Sequence, residues 1–331
     1  MTDVLTMARS RAAPGTSADR VLALDIGGTK LAVGVVARGG ELLARQREET
    51  DRSATPAQIM DTLESMARAV MARCAGEVDA IGISYGGPVD YGAGVTVTCH
   101  HLAGWEGIAL RDEMSRRLGA PAFMDNDANA AALAEAMFGA GKGHRYLLYL
   151  TVSSGIGGGI IAGGRVYRGA TGMAGEIGHM TVLPDGPLCT CGRRGCLEAL
   201  ASGWSIARRA QEAIAAGETN SRLAKTAAGE AVTAEAVAAA AVANDPLARR
   251  IMNETAEFLA LGIGAAVNLL NPTLVVIGGG VSKAGAVLFD PLRARLDNYV
   301  LDANCRAVQI APAALGDDVG LLGAAALACE Q

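Results

Sequence analysis

The chain has 331 residues, 50% of them hydrophobic, only 4% aromatic and 19% charged, and its net charge is −5. At roughly 150 residues per domain this suggests about two domains, with a core of Ala, Val, Ile and Leu large enough to need no disulfide staples. The acidic balance gives no footing for nucleic acid, no apolar run reaches the roughly 18–20 residues that span a bilayer, and seven Cys, three of them close together, do not form a secreted disulfide framework.

The expectation is a soluble cytoplasmic protein with no membrane or nucleic-acid partner. Residues 1–20 lack the apolar stretch of a secretory signal and read as a disordered polar arm. Val21–Ile26 and Leu31–Val36 are apolar runs on either side of Gly27-Gly28-Thr29-Lys30, which predicts a hairpin. Thr55-Pro56-Ala57-Gln58 predicts a capped helix start, with Ile59, Leu63, Met66 and Val70 at helical spacing and Gly76 as C-cap. A strand over 78–84 ends in Gly86-Gly87-Pro88. A helix ends near Leu118-Gly119, and a short strand at Phe123-Met124 runs into a helix from Ala128 to Phe138.

The pattern then restarts. Arg145–Val152 reads as a strand, 153–159 as a glycine-rich turn, and Ile160-Ile161 as the start of a returning strand. A strand–glycine turn–strand unit therefore occurs twice. Residues 171–203 are rich in Gly and Cys. Asp245-Pro246 starts a helix reaching about Leu270, and Leu274–Ile277 is a strand closed by Gly278-Gly279-Gly280. A helix, a strand at 308–310 and a last helix to Cys329 follow. Strands and helices mixed throughout argue an α/β fold.

Three glycine segments suit phosphate or nucleotide, because a turn without Cβ atoms lets backbone N–H groups approach a ligand. In the first, Asp25 can hold Mg²⁺, and Thr29 and Lys30 add donors. Ser153–Gly159 is the second and Gly278–Gly280 the third. The same segments also suit ordinary hairpin and strand–helix turns. His179, Cys189, Cys191 and Cys196 form a Cys₃His set, which points to a closed, structural Zn²⁺ site. Asn126-Asp127, between a strand and a helix, suits an N-cap by type and position, and a carboxylate there also suits a general base. Glu176 and Glu198 flank the metal ligands, where they can face a polyol or simply solvent.

Together these pieces resemble the ROK family of sugar kinases, from about Val21 to Cys329. The resemblance is carried by Leu24-Asp-Ile-Gly-Gly-Thr-Lys30, Ile83-Ser-Tyr-Gly-Gly-Pro-Val-Asp90, Met124-Asp-Asn-Asp-Ala-Asn129 and Gly175-Glu-Ile-Gly-His179. Cys189-Thr-Cys-Gly-Arg-Arg-Gly-Cys-Leu-Glu198 and Val276-Ile-Gly-Gly-Gly-Val-Ser282 complete it. It implies a two-lobed actin-like ATPase (ribonuclease H-like) α/β fold with an interdomain cleft. The small lobe would be 21–124, completed by a C-terminal helix within 313–331, and the large lobe 125–312 with the zinc loop.

The resemblance also implies a glucokinase-like, ATP-dependent transfer to the primary hydroxyl of a hexose. The alternative it implies is an N-acetylmannosamine, fructose or allose kinase of the same family. Asp127 would be the base. Gly87, Asn126, Glu176, His179 and Glu198 would bind sugar. Asp25, Gly27, Gly28, Thr29, Lys30, Ser154, Gly155, Gly157 and Gly278–Gly280 would hold ATP with Mg²⁺, and a homodimer or larger homo-oligomer is implied. One departure is Ser153-Ser154-Gly155 where the family usually has Gly-Thr-Gly. Some family members are repressors, but 24 residues precede Asp25 and carry no helix-turn-helix pattern, so a kinase is expected. The nucleotide loops lie far from the cysteines in sequence, so loss of metal is expected to spare nucleotide binding.

Overall fold

In a computed structural model, which describes residues 20–74, 77–97, 102–218, 221–226 and 232–330, the expected hairpin forms. β1 (Arg20–Ile26) pairs antiparallel with β2 (Lys30–Ala37), and both are buried along nearly their whole length. β3 (Leu42–Glu49) extends the sheet beyond β2, a strand the sequence reading does not predict. Its residues, LLARQREE, are exposed or half-exposed, and half of them are charged. An edge strand carrying charge has no apolar run to mark it.

The helix α1 (Pro56–Ala72) opens with the expected capping box of Thr55 and Gln58 and buries Ile59, Leu63, Met66 and Val70. Its C-cap is Arg73; Gly76 and the polar arm up to residue 19 lie outside the described residues. There follow β4 (Ala80–Tyr85), a small hairpin of β5 (Val89–Asp90) and β6 (Val95–Thr96), α2 (Leu110–Leu118) and β7 (Ala122–Asn126). The left-handed Gly119, at φ 76°, stops α2 as expected. The first sheet has the order β3-β2-β1-β4-β7, with β1, β4 and β7 parallel.

After α3 (Asp127–Phe138) come β8 (Leu147–Val152), β9 (Ile156–Ala162) and β10 (Arg165–Val166). An irregular segment leads to α4 (Leu197–Ala201), α5 (Gly203–Ala215), α6 (Arg222–Thr226), α7 (Ala234–Val242) and α8 (Pro246–Leu270), the last capped by Asp245. β11 (Leu274–Gly278), α9 (Ala286–Leu296), α10 (Asp302–Cys305), β12 (Gln309–Pro312) and α11 (Val319–Cys329) finish the fold. The second sheet runs β10-β9-β8-β11-β12, strand for strand the plan of the first. The strand–turn–strand unit visible twice in the sequence is the start of each copy.

Between the sheets lie two helices. α11 packs on β1, β2, β4 and β7, while α3 packs on β8 and β9, and the two helices pack on each other. Small residues make this possible. Gly82 of β4 leaves no room for a Cβ against the carbonyl of Ala324, and Gly323 faces Ala130. The buried Glu135 of α3 accepts N–H groups of Ala140 at 2.8 Å, Ala314 at 2.9 Å and Leu315 at 3.0 Å. It therefore fastens the link from β12 to α11 without needing a cation.

The second glycine run departs from expectation. The returning strand starts at Ile156, so Gly157, Gly158 and Gly159 lie within β9 and only Ser153–Gly155 turn. Strand side chains alternate between faces. A methyl added at Gly159 would lie 2.6 Å from the carbonyl of Ala128, and one at Gly157 would meet the Ala128 Cβ at 3.4 Å. On the other face, a methyl at Gly158 would lie 2.6 Å from the carbonyl of Gly175. The strand is bare because backbone approaches it from both sides.

Candidate active site

The parallel strands of the first sheet are in register at their carboxyl ends: Asp25 lies beside Ser84 and Ser84 beside Asp125, then Ile26, Tyr85 and Asn126. The next residues, Gly27, Gly86 and Asp127, therefore share one edge, where α/β sheets bind ligands. Asp25 is 9% exposed, and the Ser84 hydroxyl donates to it at 3.1 Å. Gly320, at the start of α11, has no space for a Cβ against this carboxylate. Burial pushes the Asp25 carboxyl up, against the pull of Lys30 and Ser84.

Asn126 is the N-cap of α3. Its Oδ1 accepts the Ala128 N–H at 2.9 Å and its Nδ2 donates to Gly87 O at 3.1 Å. That cap sets Asp127 as the first helical residue, with its side chain open to solvent on one side. Crowding by protein on the other sides, and then the charge of Asp25, push the Asp127 carboxyl up to about 6, against the pull of the Ala128 N–H and Asn126. A methyl on Gly86 would press on the carbonyl oxygen of Ile26 at 3.2 Å and reach ordinary contact with Asp127 Oδ2 at 3.8 Å.

The turn from Gly27 to Lys30 is held by the Gly27 N–H on Lys30 O at 3.0 Å and the Thr50 hydroxyl on Gly27 O at 2.8 Å. Arg52 Nε donates to Gly28 O at 3.1 Å. On the second sheet, the fold joins segments far apart in sequence. A methyl on Gly279, whose φ is 84°, would clash with the carbonyl oxygen of Val152, and one on Gly280 would lie 4.0 Å from Ser153 Oγ. The Gly203 N–H, at the start of α5, donates to Ser153 O at 2.7 Å. The Ser153–Gly155 turn and Gly278–Gly280 thus form one surface with the start of α5. Gly157 stands apart from it, within β9.

His179 ends a 3₁₀ turn, Ile177–His179, while Cys189 and Cys191 lie on a loop and Cys196 just precedes α4. One ligand atom from each lies within 4.8 Å of the others. Cys191 Sγ and Cys196 Sγ are 3.6 Å apart, and Cys189 Sγ is 3.8 Å from His179 Nδ1. A zinc tetrahedron with Zn–S near 2.3 Å has ligand separations of about 3.8 Å, so the donor set fits that ion. The other ring nitrogen, His179 Nε2, faces the exposed Glu176 at 3.9 Å.

Glu198 joins this loop to the turn of the second sheet. Its Oε1 accepts the Thr190 hydroxyl at 3.1 Å, and its Oε2 accepts the Ile156 N–H at 3.0 Å. The expected independence of the metal loop and the nucleotide loops therefore does not hold in space. Ser84 lies in the matched Ile83–Asp90 motif and Arg168 in none, and neither the bond of Ser84 to Asp25 nor that of Arg168 to Asp125 shows in the sequence, since each joins residues more than 40 apart.

Two sheets of one strand order, with two helices between them and glycine turns at the strand ends, define the actin-like ATPase fold. The chain belongs to the ROK family, whose sequence model matches residues 21–331. A glucokinase of Thermotoga maritima is 34% identical over 315 residues, which span 94% of this chain and 98% of that protein. An N-acetylmannosamine kinase of Shigella flexneri is 33% identical over 310 residues, 93% of this chain and 98% of that protein. The solved structure of a ROK family glucokinase from Streptomyces griseus in complex with glucose and AMPPNP has a TM-score of 0.81 and 34% identity, covering 94% of this chain and 100% of that one. Among the described residues, no helix is long and apolar enough to cross a membrane.

Proposed function

We propose that the chain is an ATP-dependent hexose kinase that phosphorylates glucose at its primary hydroxyl, giving glucose 6-phosphate. The observation that carries this reading is the placement of Asp127. It stands at the strand ends of the first sheet, and the next residue touches β9 of the second, whose other face carries the segment of Glu176 and His179. Full-length similarity to glucokinases supports the same conclusion.

In this reading Asp127 takes the hydroxyl proton as the oxygen attacks the γ-phosphorus. A base with its pKa near 6 is ionised at neutral pH yet still accepts a proton in the transition state. Gly87, Asn126, Glu176, His179 and Glu198 bind the sugar hydroxyls. Gly27–Lys30, with Ser154 and Gly155, hold the phosphates, and Gly278–Gly280 hold the adenosine. Gly157 belongs to packing.

Asp25 would hold Mg²⁺, directly or through water. Its charge raises Asp127, a repulsion that a cation beside it relieves, and the ion would neutralise phosphate charge. His179, Cys189, Cys191 and Cys196 would hold Zn²⁺. Four protein ligands leave no place for a catalytic water, so zinc supplies rigidity. His179 would bind it through Nδ1, leaving Nε2 toward Glu176. We take 21–124, completed by the C-terminal helix, as one lobe and 125–312 as the other, closing on the sugar. An enzyme using ATP and free sugar belongs in the cytoplasm.

An ADP-release assay over hexoses and N-acetylhexosamines tests the proposal. Glucose is expected to give the highest kcat/KM. N-acetylmannosamine is the second reading, favoured by the Shigella flexneri relative. ADP release with none of these sugars overturns both.

A further inference from the structure

The carboxylate of Asp125, two residues before Asp127, is 1% exposed. A buried charge persists only with good partners. Arg168 Nε donates to its Oδ2 at 2.7 Å, while the Asn126 N–H and Asn129 Nδ2 donate to Oδ1 at 2.7 and 3.0 Å. Oδ1 thus grips the chain on both sides of Asp127.

Arg168 spreads this grip further. Its Nη2 donates to Glu330 Oε2, beyond the end of α11, at 3.2 Å, and its guanidinium carbon lies 3.7 Å from the centroid of the Tyr91 ring in the β5–β6 turn. Its carbonyl accepts the Ala174 N–H at 3.1 Å, closing the turn that leads to Glu176. One residue therefore connects the junction carrying Asp127 with the segment carrying Glu176 and His179. Its side chain is 16% exposed, so water competes little for the pair.

We propose that Arg168 and Asp125 are a positioning pair for phosphoryl transfer, fixing Asp127 relative to the Glu176–His179 segment. The proposal rests on the kinase reading above. Neither residue needs to touch substrate. A planar fork that donates to two carboxylates and stacks on a ring cannot be replaced by an ammonium, which offers a single charged point.

The test compares wild type, Arg168→Lys and the double variant Asp125→Asn/Arg168→Met, by thermal melting, sugar calorimetry and steady-state kinetics. Arg168→Lys keeps the charge and should melt within a few degrees of wild type. Its kcat should fall about 10- to 100-fold, as small displacements of reacting groups do, with KM for ATP within about twofold. The double variant removes both charges of the pair and leaves Glu330 with the Val166 N–H at 3.1 Å, so it should melt higher than a variant that loses Arg168 alone. Its kcat should stay low. A purely structural ion pair predicts instead that kcat returns with stability. Wild-type kcat in Arg168→Lys, or in a stable double variant, overturns the proposal. Wild-type protein that phosphorylates no sugar overturns the kinase reading and this pair with it.

Discussion

The charge of Asp25 acts on Asp127 across the end of the first sheet and helps hold its carboxyl near 6. In the metal-free protein Asp127 should therefore ionise as pH rises through about 6. Asp25→Asn removes the like charge, so that ionisation should move to lower pH. An NMR titration of the Asp127 carboxyl from pH 4.5 to 8 without Mg²⁺ reads this directly. A titration that stays in place means another group raises Asp127.

Asp127→Asn keeps the shape and removes the proton acceptor. A fall in kcat of about 10² or more is expected, with sugar affinity changed less than about tenfold by calorimetry. Near-normal turnover would reassign the base.

The same substitution has a stability consequence. The Asp127 carboxyl is raised from 3.8 to about 6, so the folded chain binds more protons than the unfolded one between those values. Stability is then lost as pH rises through that window. Asp127→Asn should melt higher than wild type at pH 7.5, and the difference should vanish near pH 4. An equal shift at both pH values would point to a cause other than ionisation.

Metal analysis should find about one Zn²⁺ per chain. Cys191→Ala should lose it and loosen Glu198, which Thr190 holds from the cysteine loop. Because Glu198 also accepts the Ile156 N–H, affinity for a non-hydrolysable ATP analogue should fall together with sugar affinity. Paired titrations decide this. Unchanged binding of both ligands by the metal-free variant would remove zinc from the site.

Much of this was legible in the residues. The capping box at Thr55 and Gln58, the strand ends at Gly27 and Gly86, and the Cys₃His set all depend on short-range patterns. β3 was not, since its charged edge residues carry no buried face. Nor were the ties of Arg168 to Asp125 and of Glu198 to Ile156, because each spans more than 40 residues and ordinary residue types make them. The glycines of 157–159 look like a loop because their meaning lies in what packs on them, and packing leaves no periodic trace.

Gly159→Ala should test that packing. The added methyl meets the Ala128 carbonyl, so overpacking of about 1–3 kcal/mol is expected, with kcat reduced more than nucleotide affinity. A melting point and kcat equal to wild type would mean that α3 shifts freely.

β9 behaves as a shim of the least thickness a polypeptide can have. With Gly157 and Gly159 on one face and Gly158 on the other, the start of α3 and the Gly175 backbone are separated by one bare strand. Its neighbours include backbone carbonyls, which cannot swing aside as a rotamer can. The gap between Asp127 and the Glu176–His179 segment is therefore a fixed dimension of the scaffold. Room beside Asp127 is not gained by thickening or thinning this strand. It is gained at the rim, in the exposed stretch around Met173 and Glu176, where side chains stand in solvent and can be exchanged without moving Asp127.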